Sequence, residues 1–279
     1  MKNLRIRYPS IKSFFTFFCV TILISLIVLS SGCSRSSASI IVAGSTSVQP
    51  FAEVLAEEYM ILHPDIVIDI QGGGSAAGIM ATNSGTADIG MSSRALKPDE
   101  LHLWSLEIAS DGLAVIVHPE NPIHNLSLEQ VRGIYSGEIS RWDTLGGISS
   151  QIHVFTREEG SGTRSSFESL VMSSSEIMPE AMVQDSNGAV RQLVGDDPAA
   201  IGFISLGLVD GTVKAMELDG TTPTSEHILD GTYRLSRSFL FLTADEPSGI
   251  VKEFIEFTTS AQGRNLLNAE GLITREVNP

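Results

Sequence analysis

The chain has 279 residues, and its 18 Lys and Arg face 33 Asp and Glu, which gives a formal net charge of −15. Hydrophobic residues make up 42% of it, as in a folded protein with a large core. An acidic surface of this kind repels a nucleic-acid backbone and argues against nucleic-acid binding. The length suits two compact lobes or one unusually large domain, because single hydrophobic cores stop growing at about 250–300 residues, and two lobes are the default expectation.

The N-terminal residues have the pattern of an export signal. A basic stretch ending at Lys12 precedes an apolar run over residues 14–29, and small residues then lead to Cys33. This order resembles a bacterial lipoprotein signal, in which Cys33 becomes the lipidated first residue. An uncleaved membrane anchor is the alternative, because the apolar run is close to the lower limit for a span. We predict a signal peptide over residues 1–32 and a tether over residues 33–39.

From residue 40 onward, short apolar runs alternate with helical patterns, which is typical of an α/β fold with largely parallel sheets. Strands are predicted over residues 40–43, 66–70, 88–91, 113–117, 152–156, 200–205 and 233–242. Helices are predicted after Pro50, over residues 127–135, after Thr163, and over residues 250–257 and 261–267. The helix over residues 127–135 is expected to begin with a capping box of Ser127 and Gln130.

One type of loop occurs three times, each time after a predicted strand and before a helix. The loops are Gly44-Ser45-Thr46-Ser47, Gly72-Gly73-Gly74-Ser75 and Gly160-Ser161-Gly162-Thr163. Glycine lets the backbone approach a ligand, hydroxyls donate hydrogen bonds, and helix starts present unpaired N–H groups. Each loop alone also fits an ordinary helix cap or turn. Three such loops together indicate a shared site for a small oxyanion.

Arg157, just before the third loop, strengthens that interpretation. Its guanidinium offers a fixed fork of donors that suits phosphate-like oxygens. Alternatively, it is a surface arginine paired with Glu158 or Glu159.

The sequence offers little support for catalysis. The glycine-rich loops match neither a Walker A motif nor a dinucleotide fingerprint, and there is no Gly-x-Ser-x-Gly nucleophile motif. The six histidines are scattered, without the spacing of a helical metal site. We therefore expect a binding protein that is not an enzyme and that needs no cofactor or metal.

Several motifs resemble the phosphate-binding proteins of bacterial phosphate-specific ABC transporters. The most specific motifs cover residues 44–50, 72–78, 88–94 and 157–164, with support from residues 134–142, 200–206 and 233–237. The resemblance implies a type II periplasmic-binding-protein fold, in which crossing strands join two α/β lobes and the ligand lies in the cleft. It implies lobe I over residues 40–112 and 237–279, and lobe II over residues 113–236.

The same resemblance implies a function and a set of ligand residues. The chain would capture inorganic phosphate as a monomer, held on the extracytoplasmic face of the cell membrane by the lipid on Cys33, and deliver it to ABC permease subunits. The implied phosphate ligands are Thr46, Ser47, Ser75, Ser93, Arg157, Ser161, Gly162 and Thr163, and further candidates are Ser45, Arg94 and Asp111.

Ser93 departs from the better-known branch of that family, which has an aspartate at this position to accept the proton of hydrogen phosphate. Our hypothesis is that Ser93 contacts the ligand, that Arg94 orders the loop or adds charge, and that Asp111 supplies the missing carboxylate. Asp111 could equally be a turn residue. The departure keeps a receptor for sulfate or molybdate as an alternative. A phosphate-ester hydrolase, which needs a metal cluster or an activated nucleophile, is a further one.

Overall fold

The structure is a computed structural model that describes residues 38–275. The predicted signal peptide, Cys33 and most of the predicted tether lie outside the described residues. Within residues 38–275, no helix has both the length and the apolar character needed to cross a membrane.

The first part of the fold is built from strand–loop–helix units. Strand β1 (Ala38–Gly44) leads to helix α1 (Gln49–Leu62), and β2 (Ile66–Gly72) leads to α2 (Ser75–Ser84). Strand β3 (Ile89–Ser92) follows. Both β2 and β3 pair with β1 in parallel, so the carboxyl ends of the three strands meet at one edge of the sheet.

The middle of the chain begins with the long strand β4 (Trp104–Val117). It continues through β5 (Asn125–Leu126), α3 (Leu128–Tyr135), a 3₁₀ turn (Trp142–Leu145), β6 (His153–Arg157), α4 (Gly162–Phe167) and a π-helical turn (Glu168–Met172). Next come β7 (Met182–Gln184), α5 (Asn187–Asp196), β8 (Ala200–Ser205) and a second 3₁₀ turn (Leu206–Leu208).

The last part contains short elements and the returning strand. These are β9 (Lys214–Ala215), β10 (Glu217–Leu218), α6 (Ser225–Leu229), β11 (Ser236–Thr243), α7 (Gly249–Thr259) and α8 (Ala261–Ala269).

The main sheet has the strand order β2-β1-β3-β11-β4-β8-β6-β7, with β9 paired to β4. Its flanks are parallel, as predicted, because β6 pairs in parallel with both β7 and β8. Its centre differs from the prediction, since β11 is antiparallel to β3 and β4, and β4 is antiparallel to β8. The chain passes along β4 in one direction and returns along β11, so these strands need no crossover helix.

Among the described residues, the two largest hydrophobic clusters divide along these same two strands. One cluster includes Phe51, Ile108 and Phe239, and the other includes Leu113 and Leu235. Strands β4 and β11 therefore change from one core to the other between residues 109 and 113 and between residues 235 and 239. The lobe boundaries stay a prediction, but Asp111 and Arg237 lie where the two cores meet.

The helix starts reflect local sequence signals. The capping box at α3 is confirmed, because Ser127 Oγ accepts the N–H of Gln130 at 3.0 Å while Gln130 Oε1 accepts the N–H of Ser127 at 2.8 Å.

Helix α5 was not predicted. Strand β4 begins at Trp104, earlier than the predicted residue 113. The prediction missed its first residues because they are partly exposed and do not form a continuous apolar run.

Candidate functional site

The three predicted loops connect the carboxyl ends of β1, β2 and β6 to α1, α2 and α4, and the predicted strand–loop–helix order is confirmed. No side chain of the described residues caps the starts of α1 and α2, where the N-cap residues are Val48 and Gly74. Gly74 has φ +90°, a conformation that favours glycine. At α4, Ser161 Oγ accepts the N–H of Arg164. The N–H groups of two helix starts are thus left without a side-chain acceptor.

Contacts between the first loop and the later part of the chain close one side of the site. The hydroxyls of Ser47 and Thr163 lie 2.6 Å apart. Asn187 Nδ2 donates to Ser47 Oγ at 2.9 Å, and Arg157 Nη2 donates to Thr46 Oγ1 at 3.1 Å. The first loop therefore meets both the third loop and the start of α5.

A second group of buried hydroxyls joins the first loop, the second loop and the end of β3. Ser45 Oγ donates to Ser93 Oγ at 2.9 Å, and the Ser75 and Ser93 oxygens lie 3.4 Å apart. The N–H of Ser93 also donates to Ser75 Oγ at 3.1 Å. Hydroxyls can donate or accept, so this group can adapt to either role in binding an oxyanion.

Gly162 brings the third loop against these hydroxyls. A Cβ at this position would lie 2.6 Å from Ser93 Oγ and closer still to Ser75 Oγ, so a larger residue requires a shift. Ala76 N–H also donates to the Gly160 carbonyl at 3.1 Å, which joins the second loop to the third. The structure thus brings together all three loops and Ser93.

Arg157 pairs with Glu158, as one of the two interpretations predicted, but it is buried and is therefore not a surface arginine. Its Nε and Nη2 atoms donate to Glu158 at 3.0 and 2.9 Å, and Nη2 also reaches Thr46. The residue is 1% exposed, and its buried Nη1 has no hydrogen-bond partner within residues 38–275. Burial lowers the pKa of Arg157, while the charge of Glu158 opposes that shift. An unpartnered buried donor costs about 1–3 kcal/mol, which an anion could recover by accepting its N–H.

Arg94 contacts a different part of the chain. Its Nη1 and Nη2 donate to the two carboxylate oxygens of Glu100 at 2.7 and 2.8 Å, and Nη1 also donates to the Ala95 carbonyl at 2.8 Å. The Glu100 carboxylate in turn accepts the N–H of Lys97. These hydrogen bonds from Arg94 lower the pKa of Glu100. Of the two roles considered for Arg94, the contacts match loop ordering.

Asp111 is an interior strand residue, so its interpretation as a turn residue is wrong. It lies opposite Arg237 in the β4–β11 pair, and Oδ2 accepts from Arg237 Nε and Nη2 at 3.1 and 3.0 Å. Oδ1 accepts from Ser205 Oγ at 2.7 Å. Burial raises the pKa of Asp111, although the positive charge of Arg237 opposes that shift.

The sequence analysis missed Asn187, Ser205 and Arg237. Ser205 and Arg237 fall inside the supporting motifs at residues 200–206 and 233–237, but their residue types alone gave no reason to place them near the loops. Asn187 begins a helix directly after a parallel strand, as the three loops do. It has no glycine before it, and so it did not match the loop pattern.

Comparison with known proteins identifies the family. A family model described as a PBP superfamily domain matches residues 30–262. The phosphate-binding protein PstS of Bacillus subtilis (strain 168) is 30% identical over 234 residues, which cover 82% of this chain and 78% of that protein.

Solved structures agree. A crystal structure from Clostridium perfringens, described as a phosphate ABC transporter substrate-binding protein with bound phosphate, matches with a TM-score of 0.83 and 39% identity. That match covers 85% of this chain and 99% of the other. An ABC-type phosphate transport receptor from Vibrio cholerae matches with a TM-score of 0.71 and 42% identity, over 85% of this chain and 100% of the other.

These matches confirm the predicted fold class. The mixed α/β fold of this chain is that of the periplasmic-binding proteins. Members of this family are binding proteins and not enzymes. The chain belongs to the PBP superfamily and, within it, to the family of phosphate-binding proteins of phosphate ABC transporters.

Proposed function

We propose that this chain binds inorganic phosphate outside the cytoplasm and delivers it to an ABC importer. One observation carries the proposal: three glycine–serine loops at strand ends converge with a buried arginine, one of whose nitrogens has no hydrogen-bond partner among the described residues. The family and the phosphate-bound structure from Clostridium perfringens support the choice of ligand.

Local hydrogen-bond donors must hold the anion, because the net charge of −15 opposes an anion at long range. Hydrogen bonds to a charged group contribute about 1.5–3 kcal/mol each, so a handful of them is enough to hold a dehydrated anion. Uncapped helix starts add a partial positive charge at the same place.

The residues proposed as phosphate ligands are Thr46, Ser47, Ser75, Ser93, Arg157, Ser161, Gly162 and Thr163. Ser45 supports Ser93 through a direct hydrogen bond. The side chain of Arg94 is held by Glu100, so its proposed role is to order the loop that follows Ser93.

The proposal includes two lobes and a cleft between them. Lobe I comprises residues 40–112 and 237–279, and lobe II comprises residues 113–236. The division of the hydrophobic clusters along β4 and β11 supports these boundaries. Phosphate would bind where loops from the two lobes meet, and contacts such as Ser47–Thr163 and Ala76–Gly160 would form as the cleft closes.

The proposal also includes a lipid on Cys33 that holds the chain at the extracytoplasmic face of the cell membrane, next to the permease subunits. Mass spectrometry of the membrane-extracted protein tests it. We expect an N-terminal lipid-modified Cys33, and we expect Cys33→Ser to release the protein from the membrane fraction. An unmodified, uncleaved N-terminus would instead support the membrane-anchor alternative.

Calorimetric titration of the anion-stripped protein tests the function. We expect one-to-one binding of inorganic phosphate, with sulfate and molybdate added as competitors. Absence of phosphate binding would overturn the proposal.

A receptor with broader oxyanion selectivity is the second candidate, because hydroxyl groups surround Ser93 in place of a carboxylate. A hydroxyl can donate to a fully deprotonated oxyanion, whereas a carboxylate cannot. Effective competition by sulfate in the same titration would favour this candidate.

A further inference from the structure

Arg237 lies beside the proposed phosphate site, although no sequence pattern predicted a ligand-binding role for it. We infer that Arg237 is a second arginine that binds the anion, and that Asp111 is the residue that positions it. This inference rests on the proposed function and extends it to the residues that determine affinity.

The first step is the position of the guanidinium. The Arg237 side chain is 3% exposed, and its Nη2 lies 3.3 Å from Ser47 Oγ, to which it donates. Ser47 Oγ is the same atom that contacts Thr163 and Asn187. We call the three glycine–serine loops, residues 44–47, 72–75 and 160–163, the loop cluster. Arg237 therefore contacts this loop cluster through Ser47.

The second step is the unused donor. Arg237 Nη1 is buried and has no hydrogen-bond partner in the described part of the chain, and the same holds for Arg157 Nη1. The two arginines donate to neighbouring residues of one loop, Thr46 and Ser47. Buried donors are normally satisfied, and two of them beside the same pair of hydroxyls call for a common acceptor. An oxyanion with several oxygens can accept from both.

The third step is the electrostatic repulsion between the guanidinium groups of Arg157 and Arg237. The positive charge of Arg157 lowers the pKa of Arg237, in addition to the larger lowering by burial. The two guanidinium groups are thus near enough to repel each other, and a bound anion relieves that repulsion.

The fourth step is the role of Asp111. The residue pairs with Arg237 across β4 and β11, so their side chains lie on the same face of the sheet. Both of its oxygens already accept hydrogen bonds, from Arg237 and from Ser205. The guanidinium also lies 5.3 Å from the centroid of the Phe239 ring. Together these contacts fix the orientation of Arg237, and Nη1 is the nitrogen that no acceptor within residues 38–275 contacts.

Titration of the full-length protein with inorganic phosphate tests the role of Arg237. Arg237→Lys keeps the charge but loses the fork of donors, and we expect phosphate binding about 10- to 100-fold weaker than in the wild type. Arg234→Lys is the matched control, because Arg234 lies in the same segment but is exposed, and it should stay within about twofold of the wild type.

The outcomes separate the inference from the proposed function. Wild-type protein that does not bind phosphate would refute the proposed function. Wild-type binding together with unchanged binding by Arg237→Lys would overturn only the role of Arg237. A purely structural Arg237 would lower the melting temperature of the ligand-free variant without weakening phosphate binding.

A crystal structure of the wild-type protein with phosphate provides a test that needs no variant. We expect a phosphate oxygen within hydrogen-bond distance of Nη1 of both Arg157 and Arg237. Phosphate bound without a contact to Arg237 Nη1 would overturn the inference.

Asp111→Asn tests the positioning role. If Asp111 positions Arg237, sulfate should not gain on phosphate in this variant, because neither anion contacts the carboxylate. If sulfate begins to compete with phosphate, Asp111 is a proton acceptor for the ligand and its positioning role is refuted.

Discussion

In two regions of the chain, a buried arginine donates hydrogen bonds to a carboxylate. The regions differ in whether a buried nitrogen of the guanidinium lacks a hydrogen-bond acceptor among the described residues. In the pair Arg94–Glu100, the guanidinium donates to both carboxylate oxygens and to a backbone carbonyl. In the pair Arg237–Asp111, one guanidinium nitrogen stays buried without a partner among the described residues. The first pair completes a loop, whereas the second keeps a donor available beside the loop cluster.

Burial and ion pairing alone therefore do not identify a binding residue. Both arginines follow a serine in the sequence, and both are nearly inaccessible to solvent. What separates them is that a whole buried nitrogen of Arg237, Nη1, lacks a partner within residues 38–275, whereas Arg94 has no such buried atom there. A buried guanidinium nitrogen without a partner can donate to a ligand, and it is this atom that distinguishes Arg237 from Arg94.

The largest effect should come from Arg157, which belongs with Arg237 in this comparison. Arg157→Met removes a buried charge that contacts the first loop, and we expect the binding free energy of phosphate to weaken by about 2–5 kcal/mol. Calorimetry checks this. Arg191→Met is the control, because Arg191 forms a partly exposed ion pair with Asp210. Equal effects of the two substitutions would contradict a special role for the buried arginine.

Gly162→Ala tests the close approach of the third loop. The added Cβ would meet Ser75 and Ser93, and such overpacking costs about 1–3 kcal/mol, so we expect about 5- to 150-fold weaker phosphate binding. Gly188→Ala is a matched control near the start of α5, where a Cβ meets only Ser186 Oγ at 4.0 Å. If Gly162→Ala binds phosphate like the wild type, the loops do not approach this closely in the bound state.

Glu100→Gln tests whether the Arg94–Glu100 pair stabilises the fold without contributing to phosphate binding. It should destabilise the protein by about 1–3 kcal/mol at neutral pH and leave phosphate affinity close to the wild-type value. Chemical denaturation and calorimetry measure the two quantities. A large loss of affinity with unchanged stability would show that the Arg94 region belongs to the site.

The same substitution has a predicted pH dependence. The folded state lowers the pKa of Glu100 below its ordinary 4.5, so its stabilisation is present above that pH and is lost as the pH falls through the lower folded-state pKa. The stability difference between wild type and Glu100→Gln should therefore shrink on acidification below pH 4.5. A difference that does not change over this range would contradict the assignment.

The smallest effect should come from Ser127→Ala, far from both arginine pairs in the sequence. Loss of the capping box should cost about 1 kcal/mol of folding free energy and leave phosphate affinity unchanged. Thermal unfolding checks the cost, and Thr144→Ala provides a comparison at an exposed hydroxyl that caps no α-helix. Equal stability of Ser127→Ala and the wild type would show that the capping box contributes little.

Much of the candidate site could be predicted because its parts are local. Each of the three loops lies in a short sequence between a strand and a helix, and glycine and hydroxyl residues have recognisable uses there. Strand direction accounts only for the first two loops, since β1 and β2 are parallel neighbours whose carboxyl ends lie at one edge. The third loop follows β6, which is separated from β1 by three antiparallel pairings and runs in the opposite direction, so its approach depends on the tertiary structure. The helix at Asn187 escaped prediction because its start lacks the glycine that marked the other loops.

The α/β class, the three glycine–serine loops, the capping box at Ser127 and the family motifs could be read from local sequence, because each depends on residues close together in the chain. Which arginine nitrogens lie buried without a partner in the described part of the chain depends instead on long-range contacts. Arg237 meets Asp111 and Ser47 across separations of 126 and 190 residues. Such contacts depend on the register of β4 against β11 and on the packing of the loops, which no local pattern of residues specifies.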